Sequence, residues 1–167
     1  MIPLIDSWIS ALIAAVARRA WRLSRVHLIP NGVDAGRFAQ VLVEAGADAL
    51  CVNVGWHEGR VPQITGGVPA GVFGYLARGI KEAVDVPVIA SHRINDPDLA
   101  RELIGDGVCD MVAMGRSLIA DPYLPEKARA GRENEVVHCI ACAQGCFDNL
   151  FQLKPVECLC NPRAGHE

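Results

Sequence analysis

The segment Val86-Pro-Val-Ile-Ala-Ser-His-Arg-Ile-Asn-Asp-Pro97 runs from a short aliphatic strand into a clear helix start. Its first five residues form an unbroken apolar run, which is typical of strands that are buried on both faces of a parallel sheet. Asp96 then offers an N-cap and Pro97 a preferred first helical residue. Leucine and isoleucine follow at helical spacing. The segment therefore predicts a strand, a loop and a helix in succession.

The same unit repeats along the whole chain. We expect strands near residues 20–28, 49–54, 86–90 and 111–115, and helices near residues 7–19, 35–45, 73–84, 97–104 and 123–130. This alternation predicts an α/β fold with a parallel sheet, in which functional residues collect at the carboxyl ends of the strands. Four strands are too few for an eight-stranded barrel, so the pattern leaves open a small open sheet and half of a barrel.

Composition narrows the class of protein and its partners. The chain has 167 residues, 51% of them hydrophobic, and a formal net charge of −3. Without a basic face we expect no nucleic-acid partner. The apolar run from Trp8 to Ala17 is too short to cross a bilayer, and the arginines that follow it lie on the wrong side for a signal peptide. We therefore expect no membrane partner and a cytoplasmic location.

Cysteines cluster near the C-terminus. Cys139, Cys142, Cys146 and Cys158 are separated by two, three and eleven residues. Soft thiolate ligands favour zinc or an iron–sulfur cluster. Three ligands on one compact loop with a distant fourth favour a [4Fe-4S] cluster, because structural zinc sites usually pair two knuckles of two ligands each. The alternatives are scattered core thiols and a disulfide framework, which would require an oxidising compartment.

Several motifs occur in a fixed order: Gly55-Trp-His-Glu58, Ala90-Ser-His-Arg-Ile-Asn-Asp-Pro97, Met114-Gly-Arg-Ser-Leu-Ile-Ala-Asp121 and then the cysteine pattern. Together they resemble the iron–sulfur branch of the flavin-dependent old yellow enzyme family, the 2,4-dienoyl-CoA reductase and NADH:flavin oxidoreductase type. The resemblance implies a TIM barrel that binds FMN, followed by a [4Fe-4S] cluster. Residues 1–132 would be the last four β/α units of this barrel, and residues 133–167 the cluster-binding segment.

The resemblance also implies an activity. FMN would transfer a hydride to an activated C=C bond, such as that of a 2,4-dienoyl-CoA or an enoate, with electrons relayed by the cluster. His57 matches the histidine that protonates the substrate together with a tyrosine, and that tyrosine is not in this chain. The residues that match the substrate-side loop are Glu58, Gly59, Arg60 and Val61. FAD and NAD(P)H are implied only for a full-length relative.

The resemblance also implies which residues contact FMN. Arg22 matches an arginine at the flavin N1/O2 edge, where a fixed cation stabilises the reduced flavin. The loops after the last two strands match those that hold the FMN phosphate, and such barrels commonly bind phosphate at this corner. The matching residues in these loops are Ser91, His92, Arg93, Gly115 and Arg116.

The cysteines can be matched one by one. Cys139, Cys142, Cys146 and Cys158 match the four cluster ligands. Cys160 falls where the family has an apolar residue, so we expect a spare thiol that could exchange with Cys158 on the same short segment. The remaining two thiols lie in or beside strands and are expected in the core; they are Cys51 and Cys109.

Half a barrel leaves strand edges unpaired, and such edges invite pairing with another chain. Three interpretations therefore remain open. The chain can be part of a flavin enzyme that is inactive alone, or a truncated non-catalytic fragment. It can also be a metal-stapled interaction module that needs a partner half-barrel or a second copy of itself.

Overall fold

The computed structural model describes residues 34–53 and 64–166. The chain divides into two compact units, Met1–Asp34 and Ala35–Glu167. The strand expected over residues 20–28 and the helix expected over residues 7–19 lie outside the described residues. The division of function between residues 1–132 and 133–167 stays a prediction.

Helices and strands alternate in the described part, as the sequence predicts. The elements are α1 (Ala35–Glu44), β1 (Leu50–Val52), α2 (Gly74–Lys81), β2 (Val88–Ala90), α3 (Pro97–Gly105), β3 (Met111–Val112), α4 (Gly115–Ala120), α5 (Leu124–Arg129), a 3₁₀ turn (Glu133–Glu135), a π-helical turn (Gln144–Asp148) and α6 (Asn149–Phe151). No helix in the described ranges is both long and apolar enough to cross a membrane.

The three strands form one sheet in the order β1-β2-β3, and both pairings are parallel. Leu50 lies opposite Val88, and Ile89 lies opposite Met111. The predicted α/β fold with parallel strands is therefore confirmed. The third strand ends at Val112, earlier than expected, because Gly115 already begins α4.

The main core lies between this sheet and helices α2 and α3. Val88 is fully buried, and Ala77 on α2 and Leu103 on α3 belong to the same apolar cluster. Cys109 is buried in this cluster as expected, but Cys51 is exposed, so the prediction of a core thiol there is wrong. Side chains alternate along a strand, and the neighbouring Val52 occupies the core face, which turns Cys51 to the other face.

Helix α3 begins as its sequence predicts. The Asp96 side chain accepts a hydrogen bond from the Asp98 backbone N–H at 2.7 Å, and Pro97 is the first helical residue. The Asp96 side chain satisfies a free backbone N–H of the first turn, and Pro97 fixes a backbone angle that suits the helix. This start fixes where the loop after β2 ends, and that loop carries several of the predicted site residues.

A buried carboxylate ties the C-terminal segment to the helices. Asp121 is only 3% exposed and accepts hydrogen bonds from the Lys127 ammonium at 2.6 Å and from the Val137 backbone N–H at 2.9 Å. Burial alone would raise the pKa of Asp121, but these bonds and one from the Tyr123 N–H outweigh it and lower the pKa. The carboxylate therefore holds the start of the cysteine-rich residues 133–167, the cysteine segment, against α5.

Candidate functional site

A cleft of about 290 Å³ opens at the carboxyl ends of the three strands. Residues that follow each strand line it, as expected for a parallel α/β sheet. Its walls are residues 91–95, residues 113–117, Cys51, Asn53, Ile64, Cys139 and Phe147. The loops after β2 and β3 are the two in which the sequence predicts phosphate contacts, and they meet in this one cleft.

The loop after β2 has an unusual backbone. His92 and Arg93 have positive φ angles of 69° and 53°, a left-handed region that side chains other than glycine rarely adopt. Two contacts hold the turn: the Gly71 N–H donates to the Arg93 carbonyl at 2.8 Å, and the Arg93 Nε donates to the Val68 carbonyl at 2.7 Å. The arginine is thereby fixed in place at the cleft while only 9% exposed.

The Ser91 hydroxyl forms its hydrogen bonds within the protein and stabilises the loop after β2. It donates to the Val52 carbonyl and lies 2.7 Å from the His92 Nδ1. A hydroxyl has one hydrogen to give, so His92 must be the donor in the second contact, with its proton on Nδ1. Ser91 and His92 thus brace the turn that carries Arg93.

The loop after β3 contributes a second cation. Arg116 Nη1 donates to the Ile64 carbonyl at 2.6 Å, and the guanidinium lies 5.7 Å from the centre of the Phe147 ring. Phe147 belongs to the cysteine segment. Arg116 therefore connects the sheet end to that segment while it lines the cleft.

The two arginines impose a positive potential on the cleft. Burial lowers the pKa of Arg93, and the nearby charge of Arg116 lowers it further, while Cys139 raises it. Burial and Arg116 also lower the pKa of His92. Arginine nevertheless stays protonated in proteins, so two partly desolvated cations face one space. An anion bound between them would relieve this repulsion and accept charge-assisted hydrogen bonds.

Backbone donors lie at the same place. Helix α4 begins at Gly115, and its first internal hydrogen bond runs from the Leu118 N–H to the Met114 carbonyl at 3.2 Å. In residues 34–53 and 64–166, no backbone carbonyl accepts from the N–H of Gly115 or Arg116. A side chain at Gly115 would meet nothing within 4 Å, and both Gly115 and Arg116 line the cleft.

A second, much smaller cavity of about 20 Å³ lies beside the cleft. It is close to the volume of one water molecule. Cys139 and Arg116 line both cavities. The thiols that line the small cavity, all free of disulfides, are Cys139, Cys142, Cys146, Cys158 and Cys160. Every predicted cluster ligand is among them, and so is the thiol expected to be spare.

The cysteine loop relies on strained and close-packed backbone. Ala141 and Ala143 have positive φ angles of 55° and 61°. A Cβ on Gly145 would lie 2.6 Å from the Glu157 carbonyl oxygen, and the Glu157 N–H donates to the Gly145 carbonyl at 2.8 Å. Only glycine permits this approach, which brings the loop of Cys146 against the segment of Cys158.

The donor set fits an iron–sulfur cluster. Thiolates are the ligands of such clusters, and in a cubane each thiolate binds a different iron, so the sulfurs need not point at one atom. In the described ranges, no three Cys, His, Asp or Glu side chains close on a point that would suit a single metal ion.

Burial disfavours the thiolate forms of two of these cysteines. It raises the pKa of Cys146, and the neighbouring Cys139 and Cys142 add to the effect. It also raises the pKa of Cys160. A bound cation reverses this preference because it deprotonates its thiol ligands.

Two asparagines whose roles the sequence does not predict connect the cleft and the small cavity to each other and to distant segments. Asn95 Nδ2 donates to the Cys139 carbonyl at 2.8 Å, and the Asn95 carbonyl lies 3.1 Å from the His138 Nδ1. Asn161 Nδ2 donates to the Ile119 carbonyl at 2.9 Å. Their roles are contacts between distant segments, for which the sequence carries no local signal.

Several predicted site residues lie outside the described residues, and their roles stay predictions. They are the flavin-edge Arg22, the catalytic candidate His57 and the substrate-loop residues Glu58, Gly59, Arg60 and Val61.

Comparison with known proteins places the chain in a family. Residues 15–135 match the model of the NADH:flavin oxidoreductase / NADH oxidase family. The chain is 51% identical over 137 residues to a metal reductase of Desulforamulus reducens, covering 82% of this chain and 20% of that protein. It is 40% identical over 140 residues to an NADH oxidase of Thermoanaerobacter brockii, covering 82% and 22%. A cinnamate reductase of Clostridium sporogenes is 36% identical over 143 residues, with 83% and 21% covered.

A solved structure supports the same assignment. A complex of 2-naphthoyl-CoA reductase with 2-naphthoyl-CoA matches with a TM-score of 0.74 and 37% identity, covering 78% of this chain and 20% of that one. The chain spans about a fifth of the length of the curated relatives named above. The chain therefore belongs to the NADH:flavin oxidoreductase / NADH oxidase family, the old yellow enzyme family that its motifs resemble, and its parallel α/β unit is part of a TIM barrel.

Proposed function

We propose that the chain is the cofactor-binding part of a flavin-dependent oxidoreductase that reduces an activated C=C bond, such as that of an enoate or a 2,4-dienoyl-CoA. The observation that carries the proposal is the meeting of Arg93 and Arg116, from two successive loops, in one cleft at the carboxyl ends of the strands. The names of two relatives, a cinnamate reductase and a 2-naphthoyl-CoA reductase, support this substrate class.

The cleft would hold the phosphate of FMN. Arg93 and Arg116 supply charge, and Gly115 and Arg116, which line the cleft, supply backbone N–H donors. Ser91 and His92 keep the loop of Arg93 in its left-handed turn. When bound, FMN supplies hydride chemistry that no side chain can provide.

The remaining active-site roles fall to residues outside the described ranges. His57 would hold and deliver the proton, which suits histidine because its ordinary pKa lies near neutrality. Arg22 would face the flavin, and Glu58, Gly59, Arg60 and Val61 would contact the substrate. The tyrosine that completes proton transfer would come from a partner half-barrel or from the rest of a longer protein, so the chain alone is expected to be inactive.

Cys139, Cys142, Cys146 and Cys158 would hold a [4Fe-4S] cluster that relays electrons one at a time to the flavin. The cluster segment would be residues 133–167, and the barrel segment residues 1–132. Since Cys139 and Arg116 line both cavities, cluster and phosphate would share one wall. Thiolate ligation requires reducing conditions, which suits a cytoplasmic enzyme.

A second candidate function is the reduction of metal ions. It is favoured by the 51% identity to the metal reductase of Desulforamulus reducens. Both functions use the same electron-carrying groups and differ in the final acceptor. An experiment with the reduced, reconstituted protein and its complementing barrel half distinguishes the two functions. An enoate or a ferric chelate is supplied, and the compound that is consumed identifies the acceptor.

Titration with FMN tests the proposed cofactor site directly. We expect the chain to quench flavin fluorescence saturably, and Arg116→Gln to weaken binding about tenfold or more, the range of one charge-assisted bond. Arg129→Gln, an exposed arginine on α5, is the matched control and should leave the affinity unchanged. Equal affinities for Arg116→Gln and the wild type would contradict the phosphate site.

A further inference from the structure

A fifth thiol shares the small cavity with the four proposed ligands. Cys160 lines it together with Cys158, and Leu159 between them is 62% exposed. Both cysteines are half-buried, and the backbone bends at Leu159 and Cys160. The thiol of Cys160 therefore occupies the same cavity as that of Cys158.

Cys160 also lies beside the loop that carries the first two ligands. Ile140, which lies between Cys139 and Cys142, lines the same small cavity as Cys160. This neighbourhood places the fifth thiol at the turn where a cluster would bind.

The segment is fixed on both sides of the cysteine pair. Before it, Glu157 is bonded to Gly145 across the closest backbone approach in the loop. After it, the Asn161 N–H donates to the Cys158 carbonyl at 3.3 Å, and the Asn161 side chain bonds to Ile119. Anchors at both ends keep the two thiols within reach of one site without a large movement of the chain.

We propose that Cys160 is a reserve ligand, which takes over the fourth position of the cluster when Cys158 is absent or displaced. The proposal rests on the proposed [4Fe-4S] cluster. In the exchange, the iron–sulfur bond to Cys158 breaks and one to Cys160 forms. The proton of the Cys160 thiol passes to the released Cys158 thiolate, or to water where Cys158 is absent, and no iron changes its oxidation state. Cys146 has no second cysteine beside it and cannot be replaced in this way.

Anaerobic reconstitution with ferrous iron and sulfide tests the proposal on the whole chain. Alanine cannot bind iron, so the informative variants are Cys158→Ala, Cys146→Ala, Cys160→Ala and the double variant Cys158→Ala/Cys160→Ala. We expect the wild type, Cys160→Ala and Cys158→Ala to hold about four irons per chain. Cys146→Ala and the double variant should fall below about one iron per chain. Circular dichroism verifies that each variant folds, and Cys158→Ser provides a gentler change at the same position.

Alkylation identifies the ligand independently of iron content. In the reconstituted wild type, iodoacetamide should label Cys160 and spare Cys158. In reconstituted Cys158→Ala, Cys160 should become protected. The reserve ligand would be overturned if folded Cys158→Ala lost as much iron as Cys146→Ala. It would also be overturned if Cys158→Ala kept a cluster while Cys160 was still labelled, or if that cluster held only three irons. A wild-type chain that binds no iron would overturn the proposed cluster itself and the reserve ligand with it.

Discussion

The cleft and the cysteine cavity are neighbours built by different means. The cleft is made of loops that regular strands deliver to one edge of a sheet, so its residues come from repeated units of the fold. The cysteine cavity is made of irregular backbone with left-handed alanines and one obligatory glycine. The first site depends on the topology of the sheet, whereas the second depends on a few local contacts. Substitutions should therefore affect the two sites separately, except where a side chain belongs to both.

The largest effect on stability is expected at Asp121, which connects the cysteine segment to helix α5. Asp121→Ala removes a buried carboxylate bonded to Lys127 and Val137, so we expect a loss of about 3 kcal/mol in the free energy of unfolding. Urea unfolding measures it. Glu126→Gln, in an exposed pair with Arg132, is the control and should change stability by less than about 0.5 kcal/mol. Similar losses for both variants would mean that Asp121 does not anchor the segment.

Because of the same carboxylate, we expect the stability of the chain to depend on pH. Because the pKa of Asp121 is lowered in the folded chain, its contribution is fully present above the ordinary value of about 3.9 and is lost as the pH falls through the folded value. Stability of the wild type should fall below about pH 4 more steeply than that of Asp121→Asn. Unfolding curves at a series of acidic pH values measure this slope, and parallel slopes would contradict the assignment.

A smaller effect is expected from the close approach inside the cysteine loop. Gly145→Ala places a Cβ against the Glu157 backbone, so we expect a loss of about 1–3 kcal/mol and poorer cluster reconstitution. Gly79→Ala is the matched control, because Gly79 lies in helix α2 with nothing near its added Cβ. That substitution should stabilise the chain by about 0.5–1 kcal/mol. Fluorescence titration with FMN then measures whether a distortion of this loop reaches the cleft through Phe147, and Gly79→Ala should leave the FMN affinity unchanged.

The features that the sequence predicted are those with local or periodic causes. The cap of Asp96 and Pro97 marks the start of α3, and parallel topology explains why the loops of Arg93 and Arg116 meet. Helix α4 was missed because six residues are too few for a helical period to show. The burial of Cys51 was mispredicted because a three-residue strand does not reveal which face points inward.

Contacts between distant segments could not be predicted at all. The approach of Gly145 to Glu157 and the bond from Asn95 to Cys139 depend on how the cysteine segment folds back onto the sheet. Cysteine spacing predicted a set of ligands, but only the folded chain shows that Cys160 lines the same cavity.

The smallest prediction concerns the Phe147 ring, which joins the loop of Cys146 to the cleft. Phe147 follows Cys146 directly, yet its ring lies beside the Arg116 guanidinium in the cleft. A cation–π contact at a partly exposed site contributes about 0.5–1 kcal/mol. Phe147→Leu keeps an apolar side chain but loses the aromatic face, so Arg116 should be less well positioned. We therefore expect FMN to bind about two- to fivefold more weakly, as measured by fluorescence titration of the chain without a cluster.

Phe151→Leu is the control for this substitution. The Phe151 ring lies 6.2 Å from that of Phe147 and is exposed, so the change should leave FMN affinity as it is in the wild type. Equal affinities for Phe147→Leu and Phe151→Leu would show that the cysteine segment does not position Arg116. A selective loss in Phe147→Leu would instead show that the loop of Cys146 and the phosphate cleft are energetically coupled. Coupling of this kind is reciprocal, so FMN would then also favour the folded form of the cysteine loop.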